Sequence, residues 1–588
     1  MDRKSVIVLV ISFALILLWK PLIMDKLYPP PPKSTNEVLV ATNQLSTNVS
    51  AQAVAAATNA VSPMTQIPDN APEQLLVVTN ENANYTFSSR GGGLKLVELR
   101  KYPESIDCGK TTVGEQRLAA LNTKAPVPAL ALVGGGLEVG SYKLSRSGET
   151  VRAEKSLSNG LVVIKEFQVS SNYLLQAKVR FENRSAQPIA IANHEVVAGT
   201  ATPMSAHDES QTMGVFWFNG AKAEHVDSGW FANRTLGCLP GGTPRTEYEN
   251  GASNVLWAAV HNQFFAMAVV PRESAPKILS RKIDLPATSK EVLAADSKAV
   301  PQPVGFQTSF GYPGLTLSGN QGLEHQYTIY AGPKEYNTLA RLGAEMKNDL
   351  DLVMGFGGFF GFFAKMLLLS MNGLHAIGLA YGLAIIAITV IIKVLFWPLT
   401  SASTKSMKRM QALQPQMKAI ADKYKDDPAK KNQKTMEFMK EHKVSPLGGC
   451  LPMVLQIPVF FGFYRMLQSA IELRGAEFLW ACDLSQADTV WHVPFLNNFP
   501  VNPMPLIMGA TMLWQARLTP PSPGMDPAQQ KIMRYMPLMF MFILYKMSAG
   551  LTLYWTVQNL LTIAQMKLTK TKPEPVGTVT VISPKKKK

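Results

Sequence analysis

The residues of this sequence whose types and spacing could do chemistry lie inside its apolar segments. Lys393 and Thr389 are four residues apart, so they share one face of a predicted helix. Thr511 and Gln515 repeat this spacing in a later segment, and Gln456 lies in a third. Side chains of these types exchange hydrogen bonds with a polar chain or with water, and the lysine adds a positive charge.

The last apolar segment carries the densest set of polar residues, in two neighbouring stripes of one predicted helix. One stripe consists of Thr552, Thr556 and Asn559, and the adjacent one of Gln558, Thr562 and Gln565. Polar groups that face lipid are costly, so these side chains need one another or water.

Two interpretations of these residues stay open. In the first, they line a water-filled groove in the cytoplasmic half of a membrane, with Lys393 in its wall. In the second, Thr and Gln hold helices together or bond to their own helix carbonyls. Lys393, which lies five residues before Pro398, would then reach out to the cytoplasmic interface.

Other reaction chemistry is not indicated. Cys108, Cys238, Cys450 and Cys482 show no CxxC or Cys/His ligand spacing, which argues against a zinc site or a disulfide framework. We expect free buried thiols, with a bond between Cys108 and Cys238 as the alternative in an oxidising compartment. We therefore predict no catalytic residue, no metal and no cofactor.

Composition and charge indicate a protein that is partly in a membrane. The chain has 588 residues, of which 46% are hydrophobic and 17% charged, and its formal net charge is +16. Residues 401–449 carry eleven Lys/Arg against five Asp/Glu, and residues 567–588 carry seven against one. Such basic segments beside apolar runs are typical of cytoplasmic loops that meet anionic phospholipid, and they indicate no specific nucleic acid.

The N-terminal half is predicted to be exported. Residues 1–24 read as an uncleaved transmembrane anchor, and residues 25–72 as a flexible periplasmic tether. Short alternating runs such as LVVIKEFQV predict a periplasmic β-sandwich domain over residues 73–340. Residues 349–365 are predicted to form an interfacial amphipathic helix.

Six membrane spans are predicted, including the anchor. The other five are predicted at residues 366–398, 447–469, 500–516, 532–547 and 549–568. They are connected or followed by a cytoplasmic helical hairpin at residues 399–446, a periplasmic loop at 470–499, a cytoplasmic loop at 517–531 and a basic cytoplasmic tail at 569–588. Because Lys and Arg are in excess on one side only, both termini are predicted to be cytoplasmic.

The predicted hairpin carries methionines at helical spacing. They are Met407, Met410, Met417, Met436 and Met439. Methionine surfaces adapt to varied apolar partners, which favours a contact surface for a client protein or a ribosome. The alternative is a hairpin that lies in solvent or on lipid without contacting a client.

Four stretches together resemble a known family. They are KVSPLGGCLPMVLQIPVFFGFYRML (443–467), WPLT followed by KRMQALQPQMKAI (397–420), DPAQQKIMRYMPLMF (526–540) and AGLTLYWTVQNLLTIAQ (549–565). Their combination is similar to the YidC/Oxa1/Alb3 family of membrane protein insertases. The anchor and the large exported β-domain resemble the Gram-negative form of that family.

The resemblance implies an inner-membrane insertase and chaperone for nascent membrane proteins, acting alone or with the Sec translocon and receiving chains from the ribosome. It implies a five-helix core around a hydrophilic groove. By position, Thr389, Gln456 and Tyr554 match groove-lining or client-contacting residues. Lys393 stands where the family usually has arginine, and Trp555 replaces a frequent tyrosine.

Two other functions are considered from the residues alone. Polar stripes in spans also mark the substrate paths of a solute channel or transporter, although no pair of interrupted spans repeats between two halves. An exported enzyme that processes sugars is the third hypothesis, because β-sandwiches host carbohydrate chemistry.

Overall fold

The computed structural model describes most of the chain between its two ends. It describes residues 72–106, 117–206, 208, 210–233, 242–295, 299–425, 427–442, 451–496, 498–518 and 527–569. The predicted anchor, nearly all of the tether and of the basic tail, and three of the four cysteines lie outside these residues.

The described residues form two compact units. The first, here called the β-domain, comprises the residues up to Lys365 together with Arg465–Arg474. The second, here called the helical unit, comprises Met366–Tyr464 and the residues from Gly475 onward.

The β-domain is a sandwich of antiparallel sheets, as the alternating sequence predicts. Its strands are β1 Leu75–Thr79, β2 Ala83–Ser88, β3 Gly93–Pro103, β4 Leu118–Leu121, β5 Leu132–Val133, β6 Lys143–Ser147, β7 Thr150–Ser156, β8 Leu161–Val169, β9 Leu174–Asn183, β10 Ile189–Ile191, β11 His194–Ala201, β12 Gly214–Phe218, β13 Ala223–Asp227, β14 Glu247–Asn250, β15 Trp257–His261, β16 Phe265–Pro271, β17 Lys277–Asp284, β18 Val304–Tyr312, β19 Leu315–Leu317 and β20 Gly322–Pro333.

Two large sheets carry the core of this domain. Among the described residues, one sheet has the order β13-β12-β15-β16-β20-β9-β8-β7-β6 and the other the order β14-β17-β18-β11-β5. Strand β9 alternates buried and more exposed residues, which is the pattern of a strand with one covered face. Strands β11 and β15 are buried along their whole length and contact each other across the sandwich. Strands β1 to β4 form a further sheet, and β10 pairs with β19.

A buried histidine lies where β12, β13 and β15 meet. The Nε2 atoms of His261 and His225 are 3.0 Å apart, and His261 Nδ1 lies 3.1 Å from the carbonyl oxygen of Asn262. Lys334 Nζ approaches the same Nδ1 at 3.5 Å. Burial, with a smaller effect of the Lys334 charge, lowers the pKa of His261 well below its usual value. Burial also lowers the pKa of Lys334, to about 7.

Helices dominate the C-terminal half. The helices of the structure are α1 Ser228–Ala232, α2 Lys290–Ala295, α3 Tyr336–Met346, α4 Gly358–Ala376, α5 Tyr381–Leu395, α6 Trp397–Ala412, α7 Gln414–Lys423, α8 Pro428–Glu441, α9 Leu451–Leu467, α10 Pro503–Leu518, α11 Pro527–Ile543 and α12 Ala549–Leu568. A short hairpin, β21 Trp491–Val493 with β22 Phe499–Val501, lies between α9 and α10.

Within the described ranges, length and apolarity mark few of these helices as able to cross a membrane alone. Helix α4 meets both criteria by itself. Helices α5 and α6 meet them as a pair that is bent by 66°. The bend coincides with Pro398, which lies in the first turn of α6. Val454–Leu467, within α9, is apolar but shorter.

The helix boundary near residue 366 differs from the sequence-based prediction. The sequence predicts an interfacial helix at residues 349–365 and then an unbroken span. In the structure, α4 runs through this boundary to Ala376, and a turn separates it from α5. Gly378 in the turn has φ +98°, a conformation that L side chains rarely adopt. Hydropathy misses this break because the turn residues are themselves apolar.

The prediction of free thiols is wrong for Cys482, which forms a disulfide bond. The other three cysteines, Cys108, Cys238 and Cys450, lie outside the described residues. Spacing along the chain does not reveal pairing between distant loops, so the sequence pattern carried no signal for this bond.

Candidate functional site

Helix α12 is the element around which the polar residues of the helical unit gather. It packs against α5 and α10. Its first stripe is buried, with Thr552, Thr556 and Asn559 all turned inward, and Gln565 of the second stripe is buried as well. The polar side of α12 therefore faces protein in this structure.

Lys393 points into the helical unit. Its residue is only 6% exposed, and its Nζ donates to Thr562 Oγ1 of α12 at 2.8 Å. The Thr562 hydroxyl in turn donates to the carbonyl oxygen of Gln558 at 2.7 Å, so a lone pair is left for the lysine. Within the described residues, no carboxylate forms an ion pair with Lys393. The geometry thus favours a positive charge held inside the unit over a lysine that reaches outward.

A second polar contact joins α9 to α12. Gln456 Nε2 donates to the hydroxyl oxygen of Tyr554, and Gln558 Nε2 donates to Gln456 Oε1 at 3.0 Å. The ring of Tyr554 is buried and stacks on Phe463, with ring centroids 4.2 Å apart. The amide of Gln456 is therefore held from both ends by α12.

The neighbouring aromatic residue of α12, Trp555, is only half-buried. It meets Phe460 of α9 edge to face at 4.8 Å. Its packing is apolar, which suits the boundary between the polar contacts and the outer surface of the helices.

Two further contacts tie α12 to α10 and α6. Asn559 Nδ2 donates to Thr511 Oγ1 at 3.1 Å, and Gln565 Nε2 donates to Thr400 Oγ1 at 2.7 Å. All four residues are buried. At the end of α12, Lys408 Nζ donates to the carbonyl oxygen of Thr569 at 2.5 Å, where a cation is favourable.

These interhelical contacts form one set, which we call the polar band. Its members are Lys393, Thr400, Gln456, Thr511, Tyr554, Gln558, Asn559, Thr562 and Gln565. Hydrogen bonds between helices satisfy groups that could not face lipid. A polar segment that enters the band must therefore replace hydrogen bonds that already exist between these helices.

Three predicted site residues donate their hydroxyl protons within their own helix and not to the polar band. Thr389 donates to the carbonyl oxygen of Ile385 at 2.7 Å, and Thr556 donates to that of Thr552 at 2.7 Å. Thr552 donates to the carbonyl oxygen of Ala549 at 3.1 Å. These bonds within a helix match the second interpretation of the sequence for the threonines. Gln515 is half-buried on α10.

The methionines of the hairpin are mostly its own core. This core consists of Met410, Met417, Phe438 and Met439. Met407 is half-buried, whereas Met436 is 58% exposed. Of the five predicted contact residues, Met436 therefore offers most surface to a partner.

The loop between α9 and α10 caps two helices. Asp488 Oδ2 accepts a hydrogen bond from the backbone nitrogen of Met504, in the first turn of α10, at 2.6 Å. The first backbone nitrogens of α12, those of Ala549 and Gly550, donate to the carbonyl oxygens of Gln486 and Leu484 at 2.6 and 2.9 Å. The loop therefore covers the first turns of α10 and α12, at the end of α12 that lies opposite its contact with Lys393.

Sequence reasoning left several of these residues out of the site. Gln558, Thr562 and Gln565 were visible as a stripe, but their spacing did not say which residues they bond. No sequence pattern pointed to Thr400 or Asp488, because each forms a hydrogen bond with a residue of another structural element.

Comparison with known proteins agrees with this architecture. The family model described as YidC periplasmic domain matches residues 75–369, and that described as 60Kd inner membrane protein matches residues 373–575. The chain also resembles, at 18% identity and a TM-score of 0.33, the crystal structure of an active YidC insertase with its first transmembrane domain resolved. That comparison covers 86% of this chain and 94% of the other.

Three curated relatives carry the same name. The membrane protein insertase YidC of Syntrophus aciditrophicus is 30% identical over 96% of this chain and 98% of its own length. That of Geobacter sulfurreducens is 32% identical over 82% of this chain and 83% of its own. That of Syntrophobacter fumaroxidans is 40% identical over 53% and 52%. This chain therefore belongs to the YidC family of membrane protein insertases.

Proposed function

We propose that this chain is a membrane protein insertase and chaperone that accepts nascent membrane proteins and releases them into the inner membrane. The observation that carries the proposal is the buried Lys393, hydrogen-bonded to Thr562 within the polar band of a chain whose relatives are named insertases. The relative from Syntrophus aciditrophicus matches 96% of this chain. No catalytic residue, metal, cofactor or nucleotide is part of the proposal.

The proposed topology has six spans with both termini in the cytoplasm. Five of these spans, built on α5, α9, α10, α11 and α12, form the core, and α4 is proposed to lie at the periplasmic interface as the sequence predicts for residues 349–365. The excess of Lys and Arg in residues 401–449 supports a cytoplasmic position for the hairpin. Protease added outside sealed cells stripped of their outer membrane should digest the β-domain and spare the hairpin. Cleavage of the hairpin under these conditions would contradict the topology.

The polar band suggests how a client enters. In the structure its members satisfy one another, so a client's polar flank replaces existing hydrogen bonds rather than filling empty ones. Such an exchange is nearly balanced in free energy. The driving force is then the client's apolar segment, which gains about 25 cal/mol for each Å² of apolar surface removed from water.

Lys393 determines which client flanks enter the band most readily. A buried positive charge without a carboxylate partner among the described residues attracts acidic or polar client flanks. Lysine keeps the charge that the family's usual arginine would supply, but it lacks the planar fork that binds a carboxylate through two bonds. The remaining predicted groove residues, Thr389, Gln515, Thr552, Thr556 and Trp555, are proposed to shape the path around the band.

The proposed partners are the ribosome, the Sec translocon and anionic phospholipid. The basic hairpin and tail supply the charge for ribosome and lipid contacts. Met436 is the hairpin methionine best placed to touch a partner, since it is exposed on α8.

Photocrosslinking to stalled nascent chains tests the proposal. A crosslinker at Gln558, a member of the polar band, should capture the polar flank of the client. A crosslinker at Leu560, two residues away and exposed on the outer face of α12, is the matched control and should not. Equal capture at both positions would contradict entry through the band. Solute flux through liposomes without client insertion would favour a channel or transporter instead.

A further inference from the structure

The part of the α9–α10 loop at residues 478–502, which directly follows the exposed Glu477, buries its formal charges. Apart from one histidine, its ionisable residues are Asp483 and Asp488, and both are buried. Asp483 Oδ1 accepts hydrogen bonds from the backbone nitrogen and the hydroxyl of Ser485, at 2.8 and 2.6 Å. Asp488 Oδ2 accepts from Trp480 Nε1 at 2.8 Å as well as from Met504. Both carboxylates are thus used to hold the loop together.

The surface of the same loop is aromatic and apolar. Its exposed large side chains are Leu479, Trp480, Val490, Trp491, Phe495 and Phe499. Phe495 is 82% exposed. A loop that faces water normally places charges outside and aromatic rings inside, and this loop does the reverse.

Both flanking helices also expose apolar side chains. Val454, Ile457 and Phe461 are exposed on α9, and Leu506 and Ile507 are exposed on α10. In the proposed topology these residues face lipid. Because the loop runs directly into α10, its aromatic side chains lie at the periplasmic end of this proposed span.

We propose that residues 479–499 insert their aromatic side chains into the interfacial layer of the periplasmic leaflet. Trp and Phe side chains on an otherwise uncharged surface suit this layer, in which Trp is enriched because its ring is apolar and its N–H is polar. A lipid surface accounts for aromatic side chains beside the start of a proposed span, whereas a protein partner would have to displace lipid from the edge of α10.

This insertion gives the loop a mechanical role. The loop caps α10 through Asp488 and caps α12 through the carbonyl groups of Leu484 and Gln486. When its aromatic residues lie at a fixed depth in the leaflet, the capped ends of both helices are fixed at that depth too. The covered ends of α10 and α12 are then anchored by lipid.

The inference rests on the proposed topology, so its test separates the two. The test uses three variants of the full-length protein: Phe495→Cys, Phe542→Cys and Val139→Cys. Each is labelled with an environment-sensitive NBD dye and reconstituted in vesicles. The fluorescence of the parent protein, labelled in the same way, is subtracted. Phe542 on α11 is 83% exposed and reports lipid contact of a proposed span. Val139 in the β-domain is 56% exposed and reports an apolar side chain in water.

Phe495→Cys should show an emission maximum at shorter wavelength than Val139→Cys, protection from iodide, and quenching by nitroxide lipids labelled near the headgroup. Phe542→Cys should be quenched by nitroxides on the acyl chain. If Phe542→Cys is quenched by lipid while Phe495→Cys is as open to iodide as Val139→Cys, the insertion of the loop is refuted and the topology stands. If neither is quenched by lipid, the topology fails. A protein partner would give a different result: Phe495→Cys would become protected from iodide only when a membrane extract is added, and lipid nitroxides would not quench it. That result would overturn the lipid proposal.

Discussion

Replacing Lys393 by glutamate reverses the charge at the centre of the polar band. The lysine donates to Thr562, whose own proton is committed to the Gln558 carbonyl oxygen. A carboxylate at this position would meet a lone pair instead of a proton. Loss of a hydrogen bond to a charged group costs about 2 kcal/mol, and turning the Thr562 proton away from Gln558 costs about 1 kcal/mol more.

We expect Lys393→Glu to weaken the entry of clients with an acidic translocated segment by about 3 kcal/mol, or roughly a hundredfold, because the client flank loses a hydrogen bond to a charged group, about 2 kcal/mol, and meets a like charge, about 1 kcal/mol. Lys393→Arg should retain function because it keeps the charge. Lys393→Met keeps most of the volume but loses the charge, so it should be impaired mainly with acidic clients. Thr562→Val removes the contact and keeps the charge, and it should cost about 1 kcal/mol with all clients alike.

The assay is rescue of insertase-depleted cells at matched protein levels, with client insertion scored by protease protection. Comparison of Lys393→Met with Thr562→Val separates the effect of the Lys393 charge from that of the Lys393–Thr562 contact. If Lys393→Glu inserts acidic clients as fast as the parent protein, the charge has no role and the lysine is only part of the helix packing.

The other predictions concern packing, the hairpin, pH and the basic tail. Asn559→Leu should lower the midpoint of thermal unfolding in detergent, because it removes the hydrogen bond from Asn559 to Thr511 at a cost of about 1 kcal/mol; the exposed Leu560→Ala should not. Met410→Ala should loosen the hairpin by about 2 to 5 kcal/mol, seen as faster hydrogen exchange in α6 to α8, whereas Met436→Ala should leave exchange unchanged and weaken crosslinking to clients or ribosomes. Strands β12 and β15 should lose stability on acidification. Folding lowers the pKa of both His261 and Lys334, so the unfolded chain binds more protons than the folded one as the pH falls. The slope should be about 1.4 kcal/mol per pH unit for each group, from about pH 10 down to 7 for the lysine and below about pH 6.5 for the histidine, measured by urea unfolding. His261→Gln should reduce the slope of the acid part only, since His225, whose pKa burial lowers to about 4, also contributes there. Deletion of residues 571–588 should weaken binding to ribosomes and anionic vesicles at low salt, with the difference fading as salt rises; equal binding at low salt would leave the tail without this role.

Much of the architecture follows from the sequence because local periodicity reports which face of an element is covered. The alternation in LVVIKEFQV and its neighbours predicted a β-sandwich, and β8 and β9 lie in the central part of its largest sheet. The two polar stripes of α12 followed from a period of 3.6 residues, and both lie on its packed side. The combination of motifs indicated the family, which the relatives confirm.

The tertiary structure decided the partners, since periodicity names a face and not what meets it. Lys393 and Thr562 are 169 residues apart, and Gln565 and Thr400 are 165 apart. Only the packing of helices brings such groups within hydrogen-bond distance. The same reason applies to the methionines, where spacing could not tell the core of the hairpin from a contact surface, and to Asp488, which caps a helix that begins fifteen residues later. The burial of Asp483 and Asp488 in the α9–α10 loop, with aromatic rings outside, is likewise visible only once the chain is folded.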